Sequence, residues 1–230
     1  MDYKDLLSGQ TRENFWSMAK RELIDIALGQ HARSSRPGAV PRILNIGAGV
    51  GDDLAAIKAH GTIHLVDIDA HALTLINDKD CAEKRVASIT NLPYPDGFFD
   101  VVICLDVFEH VGDDARAFSE VHRVLRNHGR LIFTVPAFPW LYSSHDRVLK
   151  HVRRYSLDEI RERLVGFKIV FLSYWDFFLF LPISLWRMSR RHAPPREDVV
   201  PSSRAGNRFL FHVLHVENML VQRGIHLPLG

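Results

Sequence analysis

The chain has 230 residues, of which 47% are hydrophobic, and a formal net charge of +2. This length and composition fit one well-buried α/β domain with an appendage, and so small a charge implies no general attraction to nucleic acid or to an anionic membrane. Two cysteines, Cys81 and Cys104, are too few for a disulfide framework, and no apolar signal segment follows Met1. We therefore expect a reduced, cytoplasmic protein.

The first predicted element is an amphipathic helix over residues 11–29, where apolar side chains recur at helical spacing. A basic linker rich in Ser, Pro and Gly covers residues 33–41 and ends this helical pattern. Residues 1–41 therefore form an N-terminal helix and linker that precede the main domain.

A glycine-dense turn follows the first predicted strand, residues 43–46, and leads into a helix. Gly47, Gly49 and Gly51 allow positive φ angles and let a ligand lie against the main chain. Such a turn also directs free helix N–H groups towards a polar group of a ligand. A dinucleotide fingerprint requires a small residue where Asp52 stands, which argues against a nicotinamide-dependent oxidoreductase.

Strands and helices alternate along the next part of the chain. The run 63–66 ends at Asp67, whose carboxylate at a strand end can accept both hydroxyls of a ribose. Further elements follow in order: strands over 86–89, 101–105 and 131–135, with a helix over 115–126 between the last two. This alternation predicts a mostly parallel sheet that is covered on both faces and binds ligands at the carboxyl ends of its strands.

Taken in series, the glycine turn, Asp67 and the segment 91–111 resemble the motifs of class I S-adenosylmethionine (SAM)-dependent methyltransferases. The resemblance covers residues 43–135, and it points to the group that modifies small molecules and lipids. It implies a Rossmann-like, doubly wound α/β sheet of six or seven strands, with an N-terminal helix and a C-terminal helical appendage. It also implies SAM as the cofactor, bound by a domain over residues 42–172.

The resemblance carries cofactor contacts over to particular positions. The glycine turn would pack against the methionine part of SAM, Asp67 would hold the ribose, and the later strand ends would line the adenine and sulfonium pockets. The implied cofactor-binding residues are Asn45, Gly47, Ala48, Gly49, Asp67, Ile68, Ser88, Ile89, Leu105 and Asp106. Asn45 and Ser88 stand where relatives carry carboxylates, and both can still form hydrogen bonds.

Methyl transfer from a sulfonium requires in-line positioning and, for some acceptors, removal of a proton. His110 is one candidate base, and it lies in the cluster Asp106-x-x-Glu109-His110. A similar set holds a divalent metal in ubiquinone-pathway O-methyltransferases. We favour the simpler interpretation, in which Glu109 caps a helix and His110 packs nearby, and predict no metal.

Residues 136–156 resemble an insertion that, in one subgroup of the family, lies over the acceptor side. We predict an acceptor lid here, with His145 as the second candidate base. The predicted substrate-binding residues are Trp140, His151, Arg153, Arg154 and Tyr155. Arginine suits an anionic head group, whereas the alternative is that both arginines form ion pairs within the lid and Ser156 caps the next helix.

The remaining residues, 173–230, form the predicted C-terminal appendage, after a sixth strand over 169–172. The apolar stretch 174–186, followed by basic residues, is too short to span a bilayer, so it either contacts a membrane surface or packs in a core. The last helix, 207–223, carries Glu217 on its apolar side. We expect this carboxylate to pair with Arg153 or Arg154, and the alternative is that it reaches the acceptor site. No seventh strand follows.

The sequence therefore predicts a cytoplasmic SAM-dependent methyltransferase, with contact to a membrane surface and no nucleic-acid partner. Its acceptor would be a small, anionic or lipid-linked molecule, methylated on oxygen. Three alternatives stay open: a soluble quinone-like or natural-product acceptor, a catalytically silent binding protein with this fold, and the oxidoreductase considered above.

Overall fold

The computed structural model describes residues 13–34, 36, 38–189 and 203–230. These residues form two compact units. The sheet unit contains Ile24–Val135 and Arg163–Phe167, and the second unit contains the described parts of Met1–Leu23, Pro136–Glu162 and Lys168–Gly230. Of the basic residues that follow the apolar stretch 174–186, Arg190 and Arg191 lie outside the described residues.

The strands are β1 (Arg42–Ile46), β2 (Thr62–Asp67), β3 (Glu83–Val86), β4 (Phe99–Leu105) and β5 (Leu125–Thr134). The α-helices are α1 (Phe15–His31), α2 (Leu54–Ile57), α3 (Ala70–Thr74), α4 (Asp114–Val124), α5 (Ser144–Val148), α6 (Leu157–Arg163), α7 (Phe177–Ser189) and α8 (Arg204–Gln222). Among the described residues, none of these helices is both long and apolar enough to cross a membrane.

The five strands form one sheet in the order β3-β2-β1-β4-β5, and every neighbouring pair is parallel. The predicted Rossmann-like, doubly wound sheet is therefore confirmed. Parallel crossovers are right-handed, and strand order reverses at β1. The helices that connect β1 to β2 and β2 to β3 therefore lie on one face of the sheet, and the helix that connects β4 to β5 lies on the other. The predicted count of six or seven strands is wrong for the described chain, which has five.

Central strands of this sheet are buried on both faces, which explains their continuous apolar sequences. Every residue of β4 is buried. Its alternate residues Val101 and Ile103 pack into a cluster that also contains Ile24 and Leu28 of α1. The side chains between them point to the other face because the period of a strand is two residues.

The predicted sixth strand is absent from the described structure. Residues 169–172 are irregular, and both Ile169 and Val170 are exposed. Instead, Tyr174, two residues after this run, forms one isolated antiparallel bridge with Leu227. A single bridge does not provide the ladder of hydrogen bonds that defines a strand, so this apolar run stays outside the sheet.

Glu217 caps a helix and forms no ion pair with the arginines, so the predicted pairing with Arg153 or Arg154 is wrong. The fully buried carboxylate accepts hydrogen bonds from the N–H groups of Asp176, Phe177 and Phe178, at 2.5, 2.9 and 3.3 Å. The first N–H groups of a helix have no partner within the helix. A carboxylate on α8 therefore satisfies the amino end of α7.

A second carboxylate, Asp176, lies close to Glu217 in the same unit. Its φ angle is +78°, a region that aspartate and asparagine tolerate better than most residues. Burial, and then the charge of Glu217, raise the pKa of Asp176 to about 7, whereas the charge of Arg187 and a hydrogen bond from Trp16 oppose this rise. Burial raises the pKa of Glu217 as well, but the three N–H groups that it accepts oppose this rise, so we assign the proton of the pair to Asp176.

We expect Asp176 to reduce the stability of the fold as the pH rises. Its pKa is about 7 in the folded state and about 3.9 in an unfolded chain, so the folded state binds more protons between these values. The free energy of unfolding should therefore fall by up to about 1.4 kcal/mol per pH unit across this window. Asp176→Asn should lack this component, and urea unfolding of both proteins from pH 4 to pH 8 measures the difference. Parallel pH profiles would contradict the assignment.

Candidate functional site

The carboxyl ends of three strands meet at one rim of the sheet. Ile46 in β1 lies opposite Val66 in β2 and opposite Cys104 in β4. The residues that follow, including Gly47 and Asp67, therefore come together at this rim. From β1 the sheet extends to one side through β2 and β3, and to the other side through β4 and β5. Open parallel sheets bind ligands at the point where strand order reverses in this way.

The glycine turn after β1 adopts the backbone conformation that its sequence predicts. Gly47, Gly49 and Gly51 have φ angles of +72°, +51° and +81°. The N–H groups of Gly47 and Ala48 both donate to the carbonyl oxygen of Val66, at 2.8 and 3.2 Å. A Cβ atom added at Gly49 would meet nothing within 4 Å, so the outer side of this turn is open.

Asp67 joins the glycine turn to the end of β2. Its Oδ2 accepts the N–H of Gly49 at 2.7 Å, and its Oδ1 accepts the N–H of Asp69 at 2.8 Å. Each carboxylate oxygen has a second lone pair, so the group can also accept hydrogen bonds from a ligand. The next residue, Ile68, is 77% exposed. This arrangement suits a ligand that offers hydroxyl groups to the carboxylate and an apolar ring to the isoleucine.

Ser88 and Ile89 follow the end of β3 at the same rim. Val86, the last residue of β3, lies opposite Asp67. The strand thus covers Glu83–Val86, whereas the sequence analysis placed it over 86–89. Ser88 is exposed and its hydroxyl lies 2.8 Å from that of Thr90, while the side chain of Ile89 is buried.

Asp106, directly after Leu105 at the end of β4, has a φ angle of +52°. Thr134 holds it there: the threonine hydroxyl donates to Oδ1 at 2.8 Å, and the carbonyl oxygen accepts the N–H of Asp106 at 3.1 Å. A left-handed residue other than glycine costs free energy and persists where its surroundings fix it, often at functional sites. The sequence analysis missed Thr134, although a polar residue at the end of the strand beside β4 was a usable signal.

Two residues near this rim that the sequence singled out, Asn45 and Glu109, are buried in the structure. Asn45 is buried within β1, one residue before its end. Glu109 is also fully buried, but the cap of α4 is Asp113, which accepts the N–H of Arg116 at 3.1 Å. The predicted helix cap at Glu109 is therefore wrong, because the helix begins later than its position would require. His110 is exposed at the end of a short 3-10 helix, and its role as a base stays a prediction.

In the second unit, the carboxylate of Asp146 organises the predicted lid. It accepts hydrogen bonds from His151 Nδ1 at 3.0 Å, Arg154 Nε at 2.7 Å and the N–H of Ser143 at 2.8 Å. Burial alone would raise the pKa of Asp146, but the hydrogen bond from His151 and the charge of Arg154 hold it well below its usual range. Asp146 is therefore a buried anion that fixes both neighbours.

Several predicted lid residues serve the fold of this segment. Arg154 also donates to the carbonyl oxygen of Ala137 at 3.0 Å, and Tyr155 is buried and forms a backbone bridge with Ala137. Ser156 and Glu159 form the predicted cap at the start of α6. By contrast, Trp140 is 51% exposed.

His145, on α5, and Arg153 are half-buried. Substrate contact by the lid residues and catalysis by His145 stay predictions.

The glycine turn provides a direct test of this geometry. A Cβ atom at Gly47 would lie 2.5 Å from Cγ2 of Val107, and its φ angle would be strained for alanine. We expect Gly47→Ala to lower the free energy of unfolding by about 2 kcal/mol or more, and Val107→Ala to recover part of that loss. Gly112→Ala, where an added Cβ meets nothing within 4 Å, is the matched control and should change stability by less than about 0.5 kcal/mol. Equal denaturant midpoints for the two alanine variants would show that the turn is not constrained as described.

Comparisons with known proteins support the motifs at the rim. Residues 44–133 match the family described as "Methyltransferase domain". A probable S-adenosylmethionine-dependent methyltransferase of Mycobacterium tuberculosis is 34% identical over 122 residues, which cover 52% of this chain and 44% of that protein. A ubiquinone/menaquinone biosynthesis C-methyltransferase of Vibrio vulnificus is 30% identical over 162 residues, which cover 64% of this chain and 58% of that protein.

The chain thus spans about half the length of these curated relatives. The crystal structure of the YcgJ protein of Bacillus subtilis superposes with a TM-score of 0.52 at 25% identity, over 61% of this chain and 66% of that one. Family match, relatives and fold agree with the glycine turn and with Asp67 at the next strand end. Over residues 44–133 the chain is therefore similar to SAM-dependent methyltransferases, and its sheet has the Rossmann-like fold that the motifs predict.

Proposed function

We propose that the protein binds SAM at the rim formed by β1, β2 and β4 and transfers its methyl group to a small acceptor. The observation that carries this proposal is the carboxylate of Asp67, which holds the Gly49 N–H at 2.7 Å beside an open turn and the exposed Ile68. A carboxylate, a glycine turn and an exposed apolar side chain offer the contacts that ribose, methionine and adenine require.

The residues present fit SAM part by part. The remaining lone pairs of Asp67 would accept the ribose hydroxyls, and Ile68 would lie against the adenine. The open side of Gly49 leaves room for the methionine part against the backbone. Leu105 and the carboxylate of Asp106 would line the pocket near the cationic sulfonium, where a negative charge is favourable.

Bound SAM supplies an activated methyl group, whose bond to sulfur breaks with both electrons left on sulfur as the acceptor bonds to the methyl carbon. The chain must then hold the acceptor in line and take up its proton. His110, which follows β4 and is exposed, and His145 of the lid are the two residues that we propose for the proton. Neither histidine needs a metal for this role.

For the acceptor, we propose a small anionic or lipid-linked molecule that is methylated on oxygen. The exposed Trp140 supports an apolar acceptor, and the half-buried Arg153 of the lid segment is the cation that we propose for an anionic one. A second candidate is methylation of a quinone ring on carbon, because the Vibrio vulnificus relative is named as a C-methyltransferase of ubiquinone and menaquinone biosynthesis. We further propose that the protein acts in the cytoplasm, at a membrane surface.

Calorimetric titration of the folded protein with SAM, with its demethylated product and with NADH tests the cofactor. We expect both SAM-type ligands to bind and NADH not to bind. Asp67→Ala removes the proposed ribose acceptor and should weaken both SAM-type ligands at least about tenfold, as expected for loss of hydrogen bonds to a charged group. Asp158→Ala, a change of the same type at an exposed position on α6, should leave binding unchanged.

The other outcomes are equally informative. If neither SAM-type ligand binds the folded wild-type protein, the methyltransferase proposal fails and a silent binding protein with this fold takes its place. If NADH alone binds, the chain is a dinucleotide-binding protein. If SAM binds, incubation with methyl-labelled SAM and either a demethylated quinone or a phosphorylated lipid alcohol identifies the acceptor class, since the label in an O-methyl or C-methyl group is distinguished by NMR.

A further inference from the structure

Helix α7 exposes an apolar stripe along one side. Phe178, Leu181, Leu185 and Met188 are all exposed, and Leu181 and Leu185 are 66% and 59% exposed. Their spacing of three, four and three residues places them on one side of an α-helix. Contiguous apolar surface of this kind on a protein marks a site of interaction, whereas single exposed apolar residues do not.

The stripe is not the result of a loosely held helix, because the other side of α7 is anchored. The amino end of α7 is capped by Glu217 of α8. Phe180 packs against the ring of Phe138 at a centroid distance of 5.0 Å, and Ser184 is buried. Arg187 points inward, with its guanidinium 3.8 Å from the carboxylate of Asp146. These contacts fix which side of the helix faces solvent.

Two exposed tryptophan side chains lie on α7 or in contact with it. The ring of Trp140 contacts that of Phe180 at a centroid distance of 6.4 Å and is half exposed. Trp186 on α7 itself is also exposed. Tryptophan combines a large apolar ring with one polar N–H group, and it is therefore enriched where proteins meet the boundary between lipid and water.

We propose that the stripe of α7 is the surface through which this protein lies on an anionic lipid bilayer. The helix has 13 residues and is about 20 Å long, which is shorter than the hydrocarbon core of a bilayer but sufficient to lie along its surface. No acidic residue occurs in α7. Helix α8, which packs against α7, begins with the exposed cations Arg204 and Arg208 and exposes Phe209 by 67%.

This charge pattern favours anionic lipid over a second copy of the chain. A symmetric dimer brings the same surface of both copies together, and α7 has no acidic residue that could pair with the arginines of a second copy. Anionic head groups instead attract arginines at the surface while the apolar side chains enter the acyl boundary. The proposal is independent of methyl transfer, because it requires only that the second unit is folded.

Sedimentation of the full chain with vesicles tests the proposal. We expect the wild-type protein to bind phosphatidylcholine vesicles that contain phosphatidylglycerol, and to bind pure phosphatidylcholine vesicles more weakly. Leu181→Glu combined with Leu185→Glu should reduce binding to the anionic vesicles at least about tenfold, because two apolar contacts are lost and two negative charges are added. Arg204→Glu with Arg208→Glu should reduce the preference for anionic vesicles.

The control carries the same change of charge on two exposed valines elsewhere, Val165→Glu combined with Val170→Glu, and should bind like the wild type. Urea unfolding of each variant confirms that it is folded. Absence of wild-type binding, or equal binding by the α7 variant and the control, would overturn the proposal. So would a dimer in the absence of vesicles that Leu181→Glu with Leu185→Glu dissociates, because the stripe would then serve a second copy.

Discussion

The carboxylate of Asp67 holds together the part of the sheet on which the candidate site depends. Three glycines at positive φ leave the turn after β1 with little intrinsic preference for one conformation. The hydrogen bond from Gly49 N–H to Asp67, at 2.7 Å, and those from Gly47 and Ala48 to Val66 fix that turn against β2. The same carboxylate keeps lone pairs for a ligand. One side chain therefore shapes the turn and offers the polar contact beside it.

Buried carboxylates have a comparable role in the second unit, where irregular segments and the amino end of a helix carry polar groups that need partners. Asp146 gathers Ser143, His151 and Arg154, and Glu217 caps α7. A buried anion is stable only when several donors surround it, so each of these residues specifies the conformation of its neighbours. This explains how the segment after β5 adopts a defined form, and it gives α7 a fixed inner and outer side.

The sequence was sufficient to predict those features of the site whose pattern lies within a short stretch of the chain. Gly47, Gly49 and Asp67 lie at strand ends that periodicity and turn residues identify, and parallel topology brings such ends to one rim. The sequence was insufficient to predict contacts in which the hydrogen-bond partner of a residue lies far along the chain. Glu217 meets backbone groups about 40 residues away, and Thr134 meets Asp106 through strand register, so neither contact has a local pattern. The strand count failed for the same reason, since the run 169–172 joins no strand and only Tyr174, which follows it, bridges the distant Leu227.

Hydrogen exchange in the presence and absence of SAM tests the central claim most directly, because it locates the ligand without knowledge of the acceptor. The account predicts that SAM slows exchange in peptides that contain the glycine turn after β1, the residues that follow Asp67, and the turn after β4. Exchange in β5 and α6 should not change. Protection of peptides away from the rim, or SAM binding without protection of the glycine turn, would contradict the account.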